Sequence, residues 1–148
     1  LSTHGKADDR LGDYAYLALG REGAKETFDK LYARDLYNMK LNAELVFLSA
    51  CETSIGRLRR GEGIVSLARA FAYAGAKSMV TTLWKVEDEK AKALSVAFYG
   101  NLLKGMAKDQ ALQRAKLDYL NNQNGRGDGA HPFFWAGFIG IGDMGAVR

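Results

Sequence analysis

The chain has 148 residues, 47% apolar, 26% charged and 11% aromatic, with one proline, which excludes disordered, collagenous and low-complexity polypeptides and suffices for one domain with its own core. Lys plus Arg (21) exceeds Asp plus Glu (17) only modestly, and no basic run is interleaved with aromatics, so nucleic acid is not a direct partner. A single cysteine, Cys51, cannot form an internal disulfide or a zinc ribbon, which points to a reduced, cytoplasmic setting. No apolar run approaches the roughly 18 residues of a membrane span, and no signal peptide opens the chain.

The elements follow in chain order. Leu1-Ser2-Thr3 reads as the stub of a strand, with His4 and Gly5 just past it. Gly12 to Gly20, GDYAYLALG, alternates in part and predicts a short strand or hairpin arm. Phe28, Leu31, Tyr32, Leu36 and Met39 predict a helix. Leu45 to Ala50, LVFLSA, is apolar without alternation, as in a strand covered on both faces of a parallel sheet, and it ends on Cys51. Ile64, Leu67, Ala68, Phe71 and Ala72 predict a helix stopped by Gly75. Ser78 to Trp84, SMVTTLW, predicts a strand. Two helices follow, one through Leu94, Ala97, Phe98 and Leu102 behind the acids Glu87-Asp88-Glu89, the other through Ala111, Leu112, Ala115 and Tyr119. Phe133 to Ile141, FFWAGFIGI, predicts a last strand after Pro132. Strands alternating with helices predict an α/β layered domain with a mostly parallel sheet, whose chemistry gathers at the carboxyl ends of the strands.

Two residues stand at such ends. His4 follows the first stub and Cys51 follows the most apolar strand; if those strands are parallel neighbours, thiol and imidazole meet at one sheet edge. A thiol beside an imidazole is a nucleophile with its base. The competing reading of Cys51 is a small buried hydrophobe at a strand end.

Five ordered runs, Thr3-His4-Gly5, LVFLSACET (Leu45 to Thr53), GEGIVSLARAFAYAG (Gly61 to Gly75), AKSMVTTLWKV (Ala76 to Val86) and HPFFWAGF (His131 to Phe138), together resemble the CHAT domain. That family of caspase-like cysteine peptidases is related to separase and often accompanies tetratricopeptide repeats. The resemblance implies a caspase-like three-layer α/β fold, with a mostly parallel central sheet flanked by helices, and a cysteine endopeptidase acting on protein or peptide substrates. Motif for motif it makes His4 the base, Cys51 the nucleophile, and the backbone N–H groups of Gly5 and Cys51 the oxyanion donors. The similarity of LWKVED (Leu83 to Asp88) to a separase stretch makes Asp88 a substrate-binding residue for a basic side chain before the scissile bond, although Lys85 departs from the acid expected there. Acids at a helix N-terminus are also simply favourable to the helix.

In the implied fold two strands and a helix precede the His4 strand. Residues 1–148 therefore read as the C-terminal two thirds of one such domain, completed by a missing N-terminal part and regulated by an attached sensor such as tetratricopeptide repeats. A chain opening on Leu1 rather than Met agrees. The rival class is a non-catalytic, peptidase-like interaction module. No cofactor or metal is expected, since one cysteine and scattered carboxylates offer no ligand spacing.

Other features carry less. Gly140 to Gly145 matches G-x-G-x-x-G but leaves no room for the helix that must hold a pyrophosphate. Arg126-Gly127-Asp128 is a chance tripeptide in a Gly- and Asn-rich loop, His131 before Pro132 reads as structural, and Arg57, Arg59 and Arg60 read as a solvated connection, a substrate contact or a maturation site.

Overall fold

A computed structural model describes residues 4–6, 16–19, 29–48, 62–122 and 128–147. In it β1 (His4–Lys6), β2 (Tyr16–Leu19) and β3 (Asp29–Tyr32) form an antiparallel sheet in which Leu17 lies opposite Gly5 on one side and Leu31 on the other. The short helix α1 (Ala33–Leu36) follows directly. A second sheet has the order β4 (Val46–Leu48), β5 (Ser78–Thr82), β6 (Phe138–Gly142), with β4 parallel and β6 antiparallel to β5. Helix α2 (Glu62–Tyr73) precedes β5, while α3 (Asp88–Leu103) and α4 (Lys108–Asn122) lie between β5 and β6. The chain is thus mixed α/β, and of the four described strand pairings only β4 with β5 is parallel.

The strand period of two sends neighbouring residues to opposite faces. On one face of the second sheet Leu48 and Met79 pack with Leu67, Ala70 and Phe71 of α2, with Ala33 and Leu36 of α1, and with Leu17 of β2. On the other, Val80, Phe138 and the half-buried Phe47 meet Leu94 and Phe98 of α3 and Ala111, Leu112 and Ala115 of α4. Phe98 is wholly buried and stacks on Phe47 at 5.4 Å between ring centroids. The three helices expected around Ile64 to Ala72, Leu94 to Leu102 and Ala111 to Tyr119 all form, and Gly75 ends α2 at φ +97°.

Polar ties hold the ends of the second sheet. Lys108, wholly buried at the start of α4, places its Nζ 3.4 Å from the Glu44 carbonyl oxygen and 4.0 Å from its carboxylate, which also pairs with Lys77. Ser78 Oγ donates to the same Glu44 carbonyl at 2.6 Å. This tie fixes the approach to β4 against β5, because a buried ammonium is tolerated only when paired.

Three expectations are corrected. The helix expected from Phe28 to Met39 is a strand through Tyr32 and helical only at Ala33–Leu36. The Tyr32 N–H donates to Asp35 Oδ2 at 3.0 Å, so it marks a helix start rather than a helix interior. The strand expected from Phe133 begins only at Phe138, because Pro132 opens a 3₁₀ turn (Pro132–Phe134) whose N–H groups fold back: Phe134 donates to the His131 carbonyl and Ala136 to that of Pro132. His131 is structural, accepting the Phe133 N–H at Nδ1 (3.2 Å). His4, expected just past a strand, is the first residue of β1.

The glycines of the G-x-G-x-x-G match have packing reasons. The Met144 side chain fills the space a Cβ on Gly140 would need, and Gly142 has φ +90° with the Lys77 carbonyl oxygen 2.5 Å from where a Cβ would stand. That carbonyl accepts the Asp143 N–H. Gly142→Ala is therefore expected to cost about 1–3 kcal/mol from backbone strain alone, read as a lowered urea midpoint, whereas Gly100→Ala, on α3 with open space around it, is expected to stabilise by about 0.5–1 kcal/mol.

Candidate functional site

β4 and β5 run parallel, and β6 starts where β5 ends, since Thr82 pairs with Phe138. The carboxyl ends of β4 and β5 and the entry to β6 therefore share one edge. β4 stops at Leu48, three residues before Cys51, and Leu48 lies opposite Thr81, three residues before Trp84. Cys51, with its neighbours Glu52, Arg57, Arg59 and Arg60, lies outside the described residues. The backbone of His4 and Gly5 is placed in β1, which pairs with β2, while β4 pairs with β5; no described ladder joins the two candidate strands.

The described side chains of the edge form an interlocked group. Trp84 stacks on Phe133 at 5.9 Å with 21° between the rings, and its Nε1 donates to the Phe133 carbonyl at 2.7 Å. Gly137 lies so close that a Cβ there would stand 2.8 Å from the Trp84 ring, and its carbonyl accepts the Leu83 N–H. Trp135 Nε1 donates to Ala130 and Tyr119 Oη to Gly129, both to carbonyl oxygens. Burial, with the Glu87 carboxylate nearby, raises the Tyr119 pKa, so its hydroxyl remains a donor across the neutral range. Lys116 Nζ donates to the Phe138 carbonyl at 2.7 Å, and burial lowers its pKa. Thr82 is buried at the end of β5, and its Oγ1 finds no partner among the described residues, an orphaned polar group of a kind that native structures seldom keep.

Asp88 opens α3, exposed, four residues past Trp84. Sequence reading did not single out the pairing of Trp84 with Phe133, since both resembled ordinary strand positions.

A cavity of about 430 Å³ lies between the first sheet and β4, lined by Leu17, Leu31, Leu41, Phe47, Leu48 and Tyr99 among others. Its described lining side chains are apolar apart from Tyr99, whose pKa burial raises, so among the described residues it gathers no carboxylate, imidazole or thiol. Among the described residues no three His, Cys, Asp or Glu side chains gather in a way that could hold a metal ion, and no helix is long and apolar enough to cross a membrane.

Comparison with known proteins accords with this architecture. The CHAT domain model matches residues 1–143. Tetratricopeptide repeat protein 28 of Mus musculus is 36% identical over 112 residues, and its Homo sapiens counterpart 33% identical over 112. Both alignments cover 76% of this chain, which spans about 4% of the length of these curated relatives. With the family model matching almost from end to end, the chain belongs to the CHAT domain family, of caspase-like peptidase ancestry.

Proposed function

We propose that the chain is the C-terminal, site-bearing part of a cysteine endopeptidase domain, working in a reducing, cytoplasmic compartment where a thiol nucleophile persists. The observation that carries this reading is the CHAT match over residues 1–143, which includes both His4 and Cys51. The direction of β4 supports it, since β4 runs parallel to β5 and stops three residues before Cys51 in the sequence, and chemistry in such sheets gathers beyond the carboxyl ends of parallel strands. In this reading the larger domain has the caspase-like three-layer plan, and its missing N-terminal strands adjoin the part described.

The chemistry follows from residue types. His4 takes the Cys51 thiol proton, and the thiolate attacks the scissile carbonyl carbon. The Gly5 and Cys51 N–H groups hold the oxyanion, and His4 returns its proton to the leaving amine. Water, activated by the same imidazole, then releases the acid from the thioester. The decisive measurement is Cys51 alkylation in the full-length protein at neutral pH, followed by mass spectrometry of the Cys51 peptide. Reaction clearly faster than free cysteine is expected; reaction no faster overturns the dyad.

Asp88 is the specificity residue of the proposal, its carboxylate matching a substrate Arg by a two-pronged pair. Asp88→Ala is expected to lose about 1.5–3 kcal/mol of transition-state binding for peptides with Arg before the scissile bond, and far less for peptides with Leu. Parent enzyme cutting after Leu or Met as fast as after Arg refutes the acidic pocket, and a uniform loss in the variant means that Asp88 serves only its helix.

The alternative is a non-catalytic interaction module, and one observation favours it. Val96, Tyr99 and Leu103 form an exposed apolar stripe along α3, Leu103 being 90% exposed, a surface suited to contact with further polypeptide. The relatives named for tetratricopeptide repeats suggest what such polypeptide contains in the whole protein. Both readings accommodate the stripe; the alkylation rate separates them.

A further inference from the structure

We infer that the Trp84–Phe133 pair is a substrate subsite for an aliphatic or aromatic side chain close to the scissile bond. The inference rests on the peptidase reading and adds a second recognition element to it. Its ground is geometry at the edge where β4 and β5 end. Leu48 and Thr81 are paired; in sequence Trp84 comes three residues after Thr81 and Cys51 three after Leu48. Phe133 is brought over Trp84 by the 3₁₀ turn at the entry to β6.

The pair is rigid and chemically one-sided. The only polar atom of the Trp84 side chain is spent on the Phe133 carbonyl, and the ring is backed by Gly137, where no larger residue fits. Phe134 meets Phe133 edge-on at 5.8 Å between centroids. Yet Phe133 remains 48% exposed. A stacked, hydrogen-bonded aromatic pair left open to solvent presents carbon surface with no unspent donor or acceptor, so it gains from covering apolar groups and nothing from polar ones. Because the rings are already held, a ligand pays little to order them.

The test uses full-length protein carrying Cys51→Ala and dye-labelled peptides that differ only in one residue before the scissile bond, Leu, Phe, Ser or Arg, moved position by position and read by anisotropy. At one position Leu and Phe peptides are expected to bind roughly tenfold or more tighter than Ser peptides. Phe133→Ser is expected to abolish that preference and Phe133→Leu to restore most of it. Leu117→Ser, an equally exposed apolar truncation on α4, should leave the preference intact. No apolar preference at any position, a preference for Arg that Phe133→Ser removes, loss of preference in Leu117→Ser as well, or no peptide binding at all would each overturn the subsite. Cleavage by the Cys51 parent is scored separately: peptide binding with the Phe133 signature but no turnover sinks the peptidase reading and leaves the apolar site standing.

Discussion

Peptide cleavage by the full-length protein is expected to fall by about 10⁶-fold on Cys51→Ala, the scale seen when a covalent nucleophile is removed. His4→Ala is expected to fall nearly as far, and the double variant no further, because base and nucleophile act as one unit and their losses do not add. The residual rate would come from binding and from the oxyanion donors, which are backbone groups untouched by either change. Turnover retained in Cys51→Ala would show that the thiol is not the nucleophile. A large drop in the unfolding midpoint with that substitution would instead identify Cys51 as a packing residue.

Phe98→Ala carries the largest expected effect on stability. The ring is wholly buried between α3, α4 and the second sheet and touches the rings of Phe47 and Tyr99, so truncation removes its transfer energy and leaves a cavity, about 3–5 kcal/mol together. Domains are stable by only about 5–15 kcal/mol, so this one side chain holds a large share of the total. With a urea slope of about 2 kcal/mol/M, the midpoint should drop by roughly 2 M, followed through the fluorescence of Trp84 and Trp135. Leu103→Ala, on the same helix but almost fully exposed, is expected within about 0.5 kcal/mol of the parent. Equal effects from the two would mean that the α3 stripe is buried in the protein as tested.

The local periodicities of the chain determined the helices α2, α3 and α4 and the cores of β4 and β5. The helices show apolar residues recurring at the helical period and the two strands show short runs rich in apolar and β-branched residues, signals that need no knowledge of the neighbours. The family was legible for a related reason: five short runs keep the family's order and composition, including Thr3-His4-Gly5 and the run Leu45 to Thr53 that contains Cys51. The tertiary structure alone decided the rest. Asp29–Tyr32 is a strand because β2 lies beside it to take its hydrogen bonds, although Leu31, Tyr32 and Leu36 have spacings that suit a helix. Phe133 and Phe134 belong to a turn because Pro132 and His131 redirect the backbone, although their side chains suit a strand. The stacking of Trp84 on Phe133, 49 residues apart in sequence, exists only because β6 returns antiparallel beside β5 and carries its preceding turn to the edge where β4 and β5 end. Periodicity reports which face of an element is apolar; which distant elements meet there depends on long-range pairing, and no local pattern encodes it.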